Sequence, residues 1–328
     1  MTSSARPPHR RLRTAMTIVA AIAAMIAGLG VVQPATAQAP SVQAQAQTAQ
    51  TDATLPAFAS LVASVATTSK ELDTAGFDPG FIISDYNFYN PFAMTVGGIQ
   101  DFLEDRDCRP RDDSPCLDEY RETTTYQPDQ GEGHCSAYTA ARKETASRII
   151  EKVAEACTIS PRVLLVLLQK EQSLLTRPSA SGYLRATGYG CPDTADCDTE
   201  YFGFFNQVYN AAWQFRQYTQ EPERTFKVGA VDVQFHPDAA CGATPIEIRN
   251  QATANLYNYT PYQPNDAALA NPSEEGDGCS AYGNLNFWLF YTRWFGDSHS
   301  VRFPAYFDAC LNYVGGQPCR PAELVPNA

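Results

Sequence analysis

Ile159-Ser160-Pro161-Arg162-Val163-Leu164-Leu165-Val166-Leu167-Leu168-Gln169-Lys170-Glu171-Gln172 is the stretch on which the reading of this chain turns. Ser160-Pro161 is a helix start signal: a capping residue, then proline at the first helical position, where its missing N–H costs nothing. Six aliphatic residues follow without a polar face. A helix apolar all round belongs inside a core, so a buried central helix is expected over residues 161–174. The chain then turns polar at Gln169-Lys170-Glu171-Gln172-Ser173. By helical spacing Glu171 shares a face with Leu164, Leu167 and Leu168, which places a carboxylate at the end of a buried helix.

That position has chemical meaning. Partial desolvation favours the protonated carboxyl, and a carboxyl that holds its proton can act as a general acid on a glycosidic oxygen. The plainer alternative is a helix-end Glu paired with Lys170 or another cation.

Outward from this helix, residues 140–156 carry Ile149, Ile150, Val153 and Ala156 on one stripe, which predicts an amphipathic helix. Residues 95–103, 250–259 and 284–295 also read as helices, as does the second half of 202–218. Val231, Val233 and Phe235 alternate with polar residues and suit a half-buried strand, paired with residues 225–228 around Gly229; Ile246 and Ile248 mark another short strand. Residues 77–92, rich in Phe and Tyr, read as irregular or short-strand. The expected fold class is therefore α+β, mainly helical, with a small β-hairpin.

Residues 1–37 read as an export signal: Arg6, Arg10, Arg11 and Arg13 precede an uncharged run from Ala15 to Val32, then the small residues Ala35-Thr36-Ala37. Residues 38–69, mostly Ala, Gln and Thr, are linker in composition and expected to be disordered. An N-terminal subdomain over 70–134, a main domain over 135–297 and a loosely attached tail over 298–328 complete the expected organisation. All ten cysteines fall after the signal. An even number in an exported chain reads as a disulfide framework. Connectivity does not follow from sequence; the low entropic cost of short loops favours neighbours, namely Cys108 with Cys116, Cys135 with Cys157, Cys191 with Cys197, Cys241 with Cys279, and Cys310 with Cys319.

Residues 1–37 hold four of the 24 Lys and Arg and none of the 36 Asp and Glu, so the rest of the chain has 20 basic against 36 acidic residues, a net charge of −16. Nucleic acid and anionic membranes are poor partners for such a surface. A neutral glycan is not excluded. No HExxH, GxSxG or phosphate-binding glycine loop is present, and the His residues lack metal-ligand spacing, so no metal and no cofactor is expected. A monomer, free of the membrane once the signal is cleaved, is expected.

The 159–172 stretch resembles the catalytic helix of the goose-type lysozyme and lytic transglycosylase superfamily, where a buried helix ends in the catalytic Glu, usually followed by Ser; here Gln172 follows. Gly203-Phe204-Phe205-Asn206-Gln207 is similar to that family's cleft-lining Gly-x-Met-Gln segment, and Tyr257-Asn258-Tyr259-Thr260-Pro261-Tyr262 to its later Tyr-containing segment. The region from Phe77-Asp78-Pro79-Gly80 to Trp294-Phe295-Gly296 also resembles a module of secreted actinobacterial proteins labelled hemagglutinin-like, most distinctively at Tyr189-Gly190-Cys191-Pro192-Asp193 and at residues 259–264. The first resemblance implies a lysozyme-like domain that cleaves peptidoglycan or another cell-surface glycan, by hydrolysis or transglycosylation, with Glu171 as general acid/base. Substrate contacts are expected from Tyr189, Asn206, Gln207, Tyr257, Tyr259 and Tyr262, since tyrosine rings stack on sugar faces; Tyr201 belongs with them, and Phe204 reads as core. Glu200 or Asp193 is the candidate second carboxylate. The rival expectation is a non-catalytic glycan-binding or adhesin-like module on a degenerate lysozyme scaffold.

Overall fold

The computed structural model describes residues 73–301 apart from 193–195, 222 and 274–275. The expected signal, the linker, the Cys310–Cys319 pair, Asp193 and nearly all of the tail lie outside the described residues.

The described chain is mainly helical, with two small antiparallel two-stranded sheets. In chain order the helices are α1 (Asp85–Tyr89), α2 (Val96–Glu104), α3 (Ala146–Cys157), α4 (Pro161–Gln172), α5 (Ala180–Leu184), α6 (Phe204–Gln220), α7 (Gln251–Tyr259), α8 (Asp266–Ala270) and α9 (Gly283–Phe295). Strands β1 (Arg121–Glu122) and β2 (Glu144–Thr145) form one sheet, β3 (Gly229–Gln234) and β4 (Ala243–Ile248) the other.

Helix α4 is the centre. Every residue from Val163 to Gln169 is buried, and full burial of each aliphatic side chain is worth about 2 kcal/mol relative to exposure. The helix packs against α9 on one side and α3 on another, while α3 also meets α2 and α6. Proline stands at its first position as expected, but Ser160 makes no side-chain cap; its Oγ is buried without a partner, and its backbone N–H donates instead to Phe88 O at 2.8 Å. The helix stops two residues short of the expected end because Ser173 adopts a left-handed conformation (φ 55°), from which its N–H returns to Gln169 O.

Four other expectations are corrected. Helix α3 begins at Ala146 rather than 140, because residues 144–145 pair with β1 and Thr145 Oγ1 accepts from Arg148 N to start the helix. Helix α6 extends through the whole of Phe204–Gln220, not only its second half. The hairpin partner of β3 is β4, with Val231 opposite Ile246 and Val233 opposite Thr244, and not residues 225–228. This register buries Val233, Ile246 and Ile248 together, a non-local pairing that alternation alone cannot specify. Residues 85–89, read as irregular, form α1: Ser84 caps it, and Phe88 and Tyr89 are buried in it.

The N-terminal segment has no core of its own. Ile82, Ile83, Phe88, Ile99, Leu103 and Leu117 belong to the same buried cluster as α4. Four of the expected disulfides are present: Cys108–Cys116, Cys135–Cys157, Cys191–Cys197 and Cys241–Cys279. No described helix is long and apolar enough to cross a membrane.

Candidate functional site

Glu171 leaves the last turn of α4 with its side chain 24% exposed, whereas the neighbouring Lys170 side chain is only 7% exposed. Lys170 Nζ contacts Glu171 Oε1 at 2.5 Å and donates to Thr260 Oγ1 at 2.9 Å. The other carboxylate oxygen, Oε2, is turned toward Gly188: a methyl group at that glycine would sit 3.5 Å from it. Gly188 has φ +72°, a conformation costly for any other residue. The segment following α4 can therefore run directly over the carboxylate.

That segment is held by Gln207. The side chain is fully buried on α6. Its Oε1 accepts from the backbone N–H of Thr187 (3.2 Å) and Tyr189 (3.1 Å), and its Nε2 donates to the carbonyls of Tyr189 (2.8 Å) and Tyr201 (2.9 Å). Two segments of the connection between α5 and α6 are thereby locked together, and the rings they carry meet edge to face, Tyr189 against Tyr201 with centroids 4.8 Å apart.

Beside them opens a groove of about 380 Å³, lined by Gly188, Tyr189, Gly190, Cys191, Pro192, Tyr201, Gln214, Tyr218 and Tyr259. Four of these are tyrosines, and none carries a formal charge. Tyr259 joins the groove to Glu171. Its hydroxyl donates to Thr187 O at 2.7 Å and its ring packs on Phe215, centroids 4.9 Å apart. Burial, and after it the negative charge of Glu171, pushes the Tyr259 phenol well above its ordinary range. Burial also raises Tyr218, to about 12, and Tyr189, the latter further raised by Tyr201. These phenols stay protonated at neutral pH.

Of the expected contacts, Tyr189, Tyr201 and Tyr259 line the groove. The others do not. Gln207 is walled off and acts on the backbone behind the groove. Tyr257 is fully buried, its hydroxyl donating to Pro79 O at 3.0 Å; residues two apart on a helix point about 200° apart, so Tyr257 and Tyr259 cannot both face one surface. Asn206 donates to Phe202 O at 3.1 Å, and Tyr262 bridges β3 at Gln234; neither lines the groove. Phe204 is core, as read. Glu200 is exposed on the 3-10 turn Thr199–Tyr201 and does not line the groove.

Three participants went unread in the sequence: Gln214, Tyr218 and Lys170 in its Thr260-bound position. Gln214 and Tyr218 stand four residues apart on one face of α6, a spacing that marks a shared face but not which surface it meets. A further half-buried carboxylate, Glu122, accepts from Phe205 N (2.9 Å) at the start of α6 and from the Tyr120 hydroxyl; burial holds it above the usual carboxylate range. Among the described residues no cluster of His, Cys, Asp or Glu could hold a metal ion.

No protein-family model, curated protein or solved structure matches this chain.

Proposed function

We propose that this chain is a secreted, cell-wall-active glycosidase with a lysozyme-like fold, which cleaves the glycan strands of peptidoglycan as a muramidase or lytic transglycosylase. The observation that carries the reading is Glu171: a carboxylate ending a wholly buried helix, with Oε2 turned to Gly188 on the wall of a tyrosine-lined groove. In this reading a glycan strand lies along Tyr189, Tyr201, Tyr218 and Tyr259. Glu171 delivers a proton to the leaving glycosidic oxygen as the C–O bond breaks. It then takes a proton back from the attacking water or sugar hydroxyl. The travelling proton is carried on Oε2, since Oε1 faces the Lys170 ammonium. Export is supported by the four disulfides and by the signal-like composition of residues 1–37.

Muropeptide release from purified cell walls tests the assignment. Glu171→Gln should lower turnover by about 10²–10⁴-fold, the usual contribution of a positioned acid/base, while leaving the melting temperature close to that of wild type. Equal release by both proteins removes the assignment.

A second reading is favoured by one observation. Glu171 is ion-paired to Lys170, and no other carboxylate lines the groove among the described residues. A glycan-binding module that does not cleave needs no more than this. Co-sedimentation with peptidoglycan in the absence of any released product, unchanged in Glu171→Gln, is the outcome this reading expects.

A further inference from the structure

A second concavity lies at the other end of α4. It has a volume of about 150 Å³ and is lined by Tyr86, Asn87, Asn90, Phe92, Ala93 and Arg162, none of which is shared with the tyrosine groove. Arg162 sits in the first turn of α4. Its guanidinium carbon lies 5.3 Å from the centre of the Phe295 ring, with the Tyr291 hydroxyl alongside. Its Nε is buried and has no hydrogen-bond partner. No carboxylate pairs with it among the described residues, although acids exceed bases by 12 in the chain.

A half-buried guanidinium without a counter-ion is costly unless an anion supplies the missing charge and acceptors. The first turn of a helix adds a favourable field for that anion. Asn90 Nδ2 lies only 3.4 Å from the Tyr86 hydroxyl, a long contact that an incoming acceptor can replace. Asn87, by contrast, is committed through Nδ2 to the backbone around residues 297–300.

We propose that this pocket binds a small carboxylate. One cation matches one negative charge, and the planar fork of arginine matches a planar carboxylate oxygen pair. A dianionic phosphate would leave charge uncompensated in an acidic protein. The volume suits a ligand of only a few heavy atoms, since a cavity of similar size accommodates benzene in another protein. Phe92, 54% exposed at the pocket, and Ala93 offer apolar contact to a short tail. The carboxylate terminus of a short peptide has this chemistry, and so does a free short-chain acid.

Calorimetric titration of the full chain at constant ionic strength tests the site with acetate, N-acetylglycine, acetamide and inorganic phosphate. Acetate and N-acetylglycine should bind saturably and acetamide should not. N-acetylglycine binding more tightly than acetate points to a peptide terminus; equal binding points to the free acid. Asn90→Asp keeps the side-chain shape and the acceptor for Phe92 N (3.1 Å), so it should leave the melting temperature unchanged while weakening acetate by about tenfold or more, equivalent to about 1.4 kcal/mol. Arg162→Met should abolish binding. Absence of acetate binding by wild type, equal binding of acetamide, tighter binding of phosphate, or full affinity in a folded Asn90→Asp protein would each overturn the proposal. None of these outcomes bears on Glu171.

Discussion

Gln207 is the residue whose loss should be felt most widely relative to its size. Gln207→Leu preserves volume but strands two N–H groups and two carbonyls of residues 187, 189 and 201. Each buried group left without a partner costs about 1–3 kcal/mol, and some of these can reach water at the groove, so a total near 3 kcal/mol is expected from denaturant unfolding. On the proposed function glycan affinity should fall with it, because the same bonds set the Tyr189 and Tyr201 rings. A variant as stable as wild type would show that the loops hold themselves. Glu144 makes a prediction about acid. Burial raises its carboxyl, but hydrogen bonds from Lys152 (2.6 Å), Thr124 (2.6 Å) and Tyr138 (2.8 Å), with the Lys152 charge, more than offset this and hold it below its ordinary value of 4.5. A carboxyl lowered on folding stabilises the protein at pH above its unfolded value, and that contribution is lost as pH falls through the folded value. The stability gap between wild type and Glu144→Gln should therefore be wide at about pH 7 and narrow at about pH 3. A gap that does not change with pH would mean that the charge is not the source of the stabilisation.

At the scale of elements, the mini-loop closed by Cys191–Cys197 forms part of the groove wall, since Cys191 and Pro192 both line it. Its base is already tied by Asp198 N donating to Gly190 O at 2.8 Å. A ring with a sequence separation of 6 constrains the unfolded chain by only about 2 kcal/mol, whereas one of 38, as in Cys241–Cys279, constrains it by about 4 kcal/mol. Cys191→Ser/Cys197→Ser should accordingly reduce groove affinity or turnover more than it lowers the melting temperature, and Cys241→Ser/Cys279→Ser should do the reverse. If the first pair melts far lower yet keeps full activity in the cold, the small ring is a staple only. The elements also differ in how openly the chain announces them. Helix α4 is legible because an unbroken aliphatic run after Ser160-Pro161 has no amphipathic alternative. The β3–β4 register is not, because Val231 and Val233 alternate equally well against any partner, and the true one lies a dozen residues on.

For the molecule as a whole, charge and cysteine number act through sums, and sums survive without coordinates. The acidic excess and the mainly helical class were readable from composition and periodicity, since each depends on local chain properties; the cysteine pairing was not, although the low entropic cost of short loops favoured the neighbour pairs that are present in the described region. Glu171 was readable for the same reason: its place on α4 follows from helical spacing alone. What periodicity cannot state is direction across space. Whether Gln207 faces the groove or the core, whether Tyr257 or Tyr259 meets solvent, and that Gln214 and Tyr218 of α6 complete a wall begun by residues 188–192 depend on how α4, α6 and α7 pack. Likewise, nothing near Arg162 in sequence predicts that no carboxylate among the described residues would pair with it. Local propensity and hydrophobic period determined the elements and the position of the carboxylate. Only tertiary packing, which brings together residues far apart in the chain, decided which of its tyrosine neighbours share a surface with it and which are buried as structure.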